Sequence, residues 1–400
     1  MKNSFNALLR TGLAAAWVVS ASQGALAAPL VNLAGLQYVT LGDAQTYSLP
    51  FAIIDKCGGS AAGCQFSVDS TPGAIKDLVV VATGASGAPL VNNFAGMDNA
   101  YATPTGVSGS AFFRPNAATN QGSQGTINNN GANTWDASLA ALKTFLAGNQ
   151  LVTFFNNNQT SSGGASTQSL AAWAQVSITN ATGGVIGVYD LTNQNSAYKL
   201  FTEGGGGTFL GNPGAYTSGG IGNPIVGTNA ATDYVLSGGA LCRQAGVPVS
   251  CSAPHDEGPV AHNLGADHAA YAILFPELNA QLSTLFGSLS VADLGAYTFH
   301  IDARLGCDPT ITNIAGVCTG NGTTVPFGRS LNNGFEQIFI GSASPVGCAP
   351  TDPTCNPTVP EPGTVFLLGV ALFGLAAPYL RRRISSHRKL TVKPNRLLAP

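Results

Sequence analysis

The chain has 400 residues, of which 44% are hydrophobic and only 9% are charged, and its formal net charge is −2 at pH 7. Residues 28–358, which lie between two basic ends, contain 8 Lys or Arg and 18 Asp or Glu, a net charge of −10. Nucleic-acid binding requires cations that neutralise phosphate, so we expect no nucleic-acid partner. The 50 glycines and the scarcity of charge are typical of an exported, β-rich protein with long loops.

The N-terminal residues have the pattern of an export signal. Lys2 and Arg10 are basic, residues 12–21 are largely apolar, and Ala25-Leu26-Ala27 places small residues where signal peptidase requires them. We therefore expect residues 1–27 to be a signal peptide that signal peptidase removes.

Short segments with strand character recur between polar loops. The clearest covers residues 297–305, where apolar residues alternate with Thr298, His300, Asp302 and Arg304. This alternation predicts an antiparallel strand with one buried face and one polar, solvent-facing side. The other predicted strands are 78–82, 151–155, 172–178, 185–191 and 335–340.

Two helices are predicted. In the first, Asp136 is the expected N-cap and Gly148 the expected stop. In the second, Pro276 occupies the first helical position. Their apolar stripes are Leu139, Leu142, Phe145 and Leu146 in the first helix, and Leu278, Leu282, Leu285 and Phe286 in the second.

These elements predict a mainly β chain, folded as a jelly-roll-like or immunoglobulin-like antiparallel sandwich. One or two short helices and long Gly- and Asn-rich loops, at 119–133, 161–167 and 204–227, would be inserted. Residues 28–344 form the predicted ectodomain, as one body or as two subdomains, and 345–358 form a Pro-, Thr- and Cys-containing stalk.

The eight cysteines form four pairs of near neighbours along the chain. An even number of cysteines in an exported chain predicts disulfides, and this clustering favours four local loops. Connectivity stays open, because eight cysteines allow about 105 pairings. Zinc binding is the alternative, although no Cys-x-x-Cys occurs. The neighbouring pairs are Cys57 and Cys64, Cys242 and Cys251, Cys307 and Cys318, and Cys348 and Cys355.

Titratable residues concentrate at 255–302, which contains every histidine of the ectodomain. Imidazole and carboxylate groups are the ligands that zinc, copper and non-haem iron require. The candidate ligands are His255, His262, His268, His300 and Asp302. No His-Glu-x-x-His and no calcium-binding EF-hand loop is present, so structural roles for these residues are the alternative.

Asn-rich segments could bind calcium or sugars. Asn156-Asn157-Asn158-Gln159 offers side-chain oxygens for Ca²⁺, and Asn92-Asn93 with Asp98-Asn99 offers another such group. Amides could also meet sugars beside the aromatic residues Trp135, Trp173 and Tyr189. The simpler interpretation is that asparagine fills turns, where it tolerates left-handed backbone angles.

The C-terminus combines a short polar motif, one apolar segment and a basic end. The apolar segment, 364–380, is about 25 Å long as a helix at ~1.5 Å per residue, which is within the range of membrane-spanning helices. Seven basic and no acidic residues follow position 380, so the tail 384–400 is predicted to stay cytoplasmic. The motif residues are Val359, Pro360, Glu361 and Pro362 before the apolar segment, and Arg381, Arg382 and Arg383 after it.

This arrangement resembles the PEP-CTERM sorting signal of Gram-negative bacteria, which is read by a membrane protease called exosortase. The resemblance covers residues 359–383. It implies export through the inner membrane, attachment through the C-terminal helix, cleavage by exosortase and a final location at the cell surface or in the extracellular matrix.

Bacteria with this family of proteins tend to make exopolysaccharide. The resemblance therefore implies a non-enzymatic structural or glycan-associated role, with exopolysaccharide as a partner and no cofactor. The alternative is a secreted metal-dependent or glycan-acting enzyme that uses the cluster at 255–302.

Overall fold

A computed structural model describes the part of the chain in which the fold is defined. The described residues are 30–70, 75, 78–84, 91, 93–104, 113–115, 134–158, 170–191, 198–199, 206–207, 215–216, 232–233, 235–237, 239–249, 251, 254–263, 268–306, 331 and 334–344. All of them belong to one compact unit, Ala28–Asn356. The predicted signal peptide, stalk, sorting signal and tail lie outside the described residues.

Strands dominate the described residues. The strands are β1 (Leu30–Val31), β2 (Val39–Leu41), β3 (Ala44–Ser48), β4 (Val79–Thr83), β5 (Tyr101–Ala102), β6 (Trp135–Ser138), β7 (Gln150–Asn156), β8 (Leu170–Thr179), β9 (Val185–Leu191), β10 (Tyr198–Lys199), β11 (Gly206–Gly207), β12 (Ala215–Tyr216), β13 (Thr232–Asp233), β14 (Val235–Ser237), β15 (Ala240–Gln244), β16 (Val247–Val249), β17 (Glu257–Ala261), β18 (Tyr271–Leu274), β19 (Thr298–Leu305) and β20 (Gln337–Ala343). The helices are α1 (Leu49–Cys57), α2 (Leu139–Leu146), α3 (Pro276–Ser288) and α4 (Val291–Leu294).

An eight-stranded sheet forms the centre of the fold. Its order is β2-β3-β18-β7-β20-β4-β5, and β1 also pairs with β20. Its central strands carry apolar side chains on both faces. In β7, for example, Leu151 and Phe155 point to one core, whereas Val152 and Phe154 point to another. Both faces of this sheet must therefore be covered.

A five-stranded sheet covers the first face. Its order is β14-β8-β19-β6, and β9 also pairs with β8. Val176 and Ile301 from this sheet share one core with Leu151 and Ile340 from the eight-stranded sheet. Helices α2 and α3 add apolar side chains to the same core. The chain is thus mainly β and folds as an antiparallel sandwich, as the sequence predicted.

Helix α1 and nearby loop segments cover the second face. Leu49 and Ile53 of α1 share a core with Phe154 and Phe339 of the sheet, whose rings lie 5.2 Å apart. Sequence patterns did not indicate α1, because β3 runs into it without a loop. Ser48 ends the strand and caps the helix, and Gly58, at φ 61°, ends the helix in a left-handed conformation.

Strand β19 exists as predicted, but the expectation of a solvent-facing polar side was wrong. His300, Asp302 and Arg304 are 3%, 1% and 2% exposed. The strand lies between β6 and β8, and its polar side chains bond to one another and to neighbouring strands. For example, Nη2 of Arg304 donates to Oδ2 of Asp302 at 2.7 Å, and the guanidinium lies 5.3 Å from the Trp173 ring centroid.

The predicted cap of α2 was also wrong. Asp136 lies inside β6, which extends to Ser138, so the helix cannot begin until Leu139. The hydroxyl of Ser138 accepts the capping hydrogen bond from the Ala141 amide at 3.2 Å.

The second predicted helix, α3, does begin at Pro276. In total the described residues contain four helices, more than the one or two expected.

Two of the expected disulfides are confirmed. Cys57 bonds to Cys64, and Cys242 bonds to Cys251. The other four cysteines, Cys307, Cys318, Cys348 and Cys355, lie outside the described residues.

Among the residues with described structure, no helix combines the length and hydrophobicity needed to cross a membrane. The predicted spanning segment, 364–380, is not among those residues.

Several buried carboxyl groups make the stability of the fold depend on pH. Glu336 is fully buried just before β20. Burial raises the pKa of Glu336 from 4.5 to about 7, although backbone N–H groups of Glu336 and Asn158 lower it. Burial likewise raises the pKa of Asp98 to about 7 and that of Asp190 to about 6.

We expect Glu336→Gln to reduce the loss of stability at alkaline pH. A raised carboxyl pKa means that the folded state binds the proton more tightly, so this stabilisation is complete below pH 4.5 and is lost as pH rises through about 7. Between pH 5 and 8 the loss from Glu336 is about 2 kcal/mol, and a neutral amide cannot undergo it. Urea unfolding at both pH values measures the effect, with exposed Glu277→Gln as the control. An unchanged pH dependence in Glu336→Gln would contradict this account.

Candidate ligand pocket

An open pocket lies between β2, β3, α1 and the hairpin formed by β15 and β16. Its volume is about 300 Å³. Its lining combines apolar side chains, polar groups and three aromatic rings. The lining includes Leu36, Val39, Leu41 and Ala52; Gln37, Thr46, Ser48, Asp55, Lys56 and Arg243; and Tyr38, Phe51 and Tyr271. Such a mixed lining is common in small-molecule sites.

Arg243 fixes the wall of this pocket. Its Nε donates to Oε2 of Glu257 at 2.8 Å, and its Nη1 donates to both oxygens of Asp55 at 2.9 and 2.7 Å. Its guanidinium carbon lies 4.5 Å from the ring centroid of Phe51. Because Asp55 and Phe51 belong to α1 and Glu257 to β17, one side chain joins three elements.

Arg243 keeps its charge although its side chain is only 9% exposed. Desolvation lowers the pKa of Arg243, but the hydrogen bonds and the charges of Glu257 and Asp55 outweigh this effect and raise it. Both described disulfides lie next to this ion network. Cys57 ends α1 two residues after Asp55, and Cys242 directly precedes Arg243. The cross-links therefore brace the two chain segments that the ion pairs join.

Ser48 and His262 form a hydroxyl–imidazole pair beside the pocket. The Ser48 hydroxyl lies 2.7 Å from Nε2 of His262, and Nδ1 of His262 lies 2.8 Å from the Val260 carbonyl oxygen. A carbonyl only accepts, so Nδ1 carries the proton and Nε2 accepts from Ser48. Burial lowers the pKa of His262 to about 4, so the ring is neutral at pH 7.

This pair is poorly arranged for nucleophilic catalysis. A general base works best when its pKa is near the working pH, and that of His262 is about 4. The amide of Leu49 donates to the Ala270 carbonyl at 3.0 Å, Pro50 has no N–H, and the Phe51 amide donates to Ser48. These first amides of α1 are thus not available to stabilise an oxyanion. The pair instead holds the junction between β3 and α1.

The residues predicted to bind a metal differ in their surroundings. His255 is exposed, His262 lies beside the pocket, and His268 is half-buried near Asp69. His300 uses both ring nitrogens, with Oδ1 of Asp136 at 2.8 Å and the Thr179 hydroxyl at 2.9 Å, and Asp302 is paired with Arg304. Across the described ranges, no group of three His, Cys, Asp or Glu side chains is placed to hold a metal ion.

The Asn-rich segments have structural contacts. The Asn156 amide donates to the Ser70 hydroxyl at 2.8 Å, and Asn157 accepts from the Ser237 hydroxyl at 2.9 Å. Asn93 bonds to the backbone of Val80 and Asp98. Trp135, Trp173 and Tyr189, the aromatic residues considered for sugar contact, are 0%, 1% and 8% exposed.

The pocket residues gave no local signal in the sequence. Thr46, Ser48 and Asp55 lie near the start of the chain, and Arg243 lies in a separate segment that folding brings beside them. Only the neighbouring cysteine pairs, Cys57 with Cys64 and Cys242 with Cys251, marked both segments.

We expect Arg243→Met to lower the free energy of unfolding by about 2 kcal/mol, because it leaves two carboxylates unpaired beside a buried ring. This loss of unfolding free energy is smaller than that for a fully buried ion pair, since the Asp55 and Glu257 side chains are 42% and 41% exposed. Urea unfolding measures the loss. The matched control, Lys56→Met, removes a nearby charge and should change stability by less than about 0.5 kcal/mol. Equal stability of Arg243→Met and the wild type would show that the network does not hold the pocket wall.

Comparison with known proteins identifies two regions. The model of the PEP-CTERM protein-sorting motif matches residues 358–383, which confirms the resemblance at the C-terminus. This motif marks the protein for export, exosortase processing and a cell-surface or extracellular location. No curated protein and no solved structure matches the chain. A second family model matches residues 12–304, which is most of the chain, and the protein therefore belongs to the family described as domain of unknown function DUF8239.

Proposed function

We propose that this protein is a non-enzymatic component of the bacterial surface or extracellular matrix, with a structural or glycan-associated role. The observation that carries the proposal is the PEP-CTERM motif at residues 358–383. In this proposal the chain crosses the inner membrane of a Gram-negative bacterium, and signal peptidase removes residues 1–27. The helix at 364–380 then holds the chain in the membrane until exosortase cleaves it near Pro360-Glu361-Pro362.

The described part of the ectodomain supports a role outside the cytoplasm. Disulfides persist in oxidising compartments, and Cys57–Cys64 and Cys242–Cys251 are both present. A net charge of −10 over residues 28–358 suits a protein that stays soluble beside a neutral polymer.

The chemistry of the pocket supports binding rather than catalysis. His262 is a weak base at neutral pH, and the nearest backbone amides already donate to other groups. Asp55 and Glu257 are both paired with Arg243 instead of presenting a free acid or base. A rigid pocket with paired charges is well suited to holding a ligand unchanged.

We expect replacement of the motif, by Pro360→Ala, Glu361→Ala and Pro362→Ala together, to prevent release. A culture separated into membrane, exopolysaccharide and medium fractions should show the wild-type protein mainly with the polymer, and the triple variant as an uncleaved chain in the membrane. Pro357→Ala, just before the motif, is the matched control and should behave as the wild type. Release of the triple variant would contradict exosortase sorting. Wild-type protein found only in the medium, and not with the polymer, would contradict the glycan-associated role.

A further inference from the structure

We propose that the pocket beside α1 binds one ring of a neutral sugar, an inference that rests on the glycan-associated role proposed above. A volume of about 300 Å³ lies at the lower end of the range for small-molecule pockets. This size suits one sugar ring of a longer chain, because the pocket is open on one side to the rest of the polymer. The ligand class follows from the lining, from the balance of charge and from the unused hydrogen-bonding groups.

The lining matches the two kinds of surface that a sugar ring presents. Leu36, Val39 and Leu41 give the lining apolar surface, and the half-buried Tyr38 adds an aromatic ring. Gln37 and Lys56 are exposed lining residues with polar groups. A pyranose ring has C–H groups on its faces and hydroxyls around its edge, so its faces can pack on the apolar lining while its hydroxyls meet the polar lining.

The charges favour a neutral ligand. Arg243 binds two carboxylates, Asp55 and Glu257, so its guanidinium does not present a free fork to a ligand carboxylate or phosphate. With Lys56, the local set contains two cations and two anions and has no net charge. The ectodomain as a whole is acidic and repels polyanions. An acidic sugar would therefore gain little electrostatic attraction here.

Hydrogen-bonding capacity remains inside the pocket. Thr46 is one of the residues that line it, and its hydroxyl oxygen is buried without a hydrogen-bond partner within the described residues. Such an unpaired group destabilises the empty protein, and a change of χ1 rotamer toward the pocket would let a ligand hydroxyl relieve that cost. Asp55 bonds to Arg243 through both oxygens, yet each carboxylate oxygen can accept a second hydrogen bond. Its side chain is 42% exposed, so it can accept from sugar hydroxyls.

The pocket is held in shape before any ligand arrives. The Cys57–Cys64 disulfide fixes the end of α1, and the Cys242–Cys251 disulfide closes the β15–β16 hairpin that carries Arg243. Rigid walls reduce the entropy that binding would otherwise cost, which matters for a ligand as small as one sugar ring.

The test is calorimetric or NMR titration of the full-length protein in detergent. The probes are glucose, galactose and mannose, their short oligosaccharides, and glucuronate and galacturonate. At least one neutral sugar should bind with a Kd of about 1 mM or tighter, and the matching uronate should bind at least about tenfold more weakly. Thr46→Val and Tyr38→Ala should each weaken binding by about tenfold. The control Thr284→Val, which changes the same residue type on α3 away from the pocket, should have no effect.

Unchanged urea midpoints for Thr46→Val would show that the variant folds, so that its binding result can be interpreted. The proposal is overturned if no neutral sugar in the panel binds, if the uronates bind more tightly, or if Thr46→Val and Tyr38→Ala bind as the wild type does. Co-fractionation with the polymer tests the glycan-associated role independently of the sugar-binding pocket. A protein that accompanies the polymer but binds no sugar in its pocket keeps the surface role and loses this assignment.

Discussion

A sheet with apolar side chains on both faces must be covered on both sides, and the architecture of this protein follows from that constraint. In β7, β18 and β20 successive residues alternate between two separate cores. The five-stranded sheet covers one face, which makes the molecule a sandwich. The other face is covered by α1 with short loop segments. The position of α1 then creates a cleft against β2 and β3, and this cleft is the pocket.

Several charged and polar groups buried by this layering are paired with one another. His300 bonds to Asp136 and Thr179, Arg304 bonds to Asp302, and Arg243 bonds to Asp55 and Glu257. Unpaired charges in such places would be strongly destabilising, whereas paired ones contribute little net stability but define which elements must meet. The pairing of Arg243 with Asp55 and Glu257 fixes the pocket wall, and it leaves no free guanidinium fork there.

Local signals in the sequence predicted local features well. The strand class, the Pro276 helix start and two neighbouring disulfides depend on residues close together in the chain, and the structure confirms them. The sorting signal was also readable, because it is recognised as a short linear motif rather than through a fold.

Features that depend on distant contacts could not be predicted from the sequence. The polar side of β19 looked solvent-facing because the sequence does not reveal what covers it. The pocket was missed because Arg243 meets Thr46 and Asp55 only after folding.

The cap of α2 shows the limit at a finer scale. Asp136 and Ser138 are both good N-cap residues, and the choice between them depends on how far β6 continues along β19. Pairing of His300 with Asp136 extends the strand and leaves Ser138 as the cap. Tertiary pairing therefore decided a boundary that propensity left open.

Export, oxidation of the cysteines and cleavage at the sorting motif are the central expectations for this protein. Intact mass spectrometry of the protein from the native envelope and medium, with and without reductant, tests all three at once. The account predicts a chain from Ala28 to the neighbourhood of Pro360-Glu361-Pro362 that gains about two hydrogen masses per disulfide on reduction, for all eight cysteines. A mass that still includes residues 364–400, or one that reduction leaves unchanged, would contradict it.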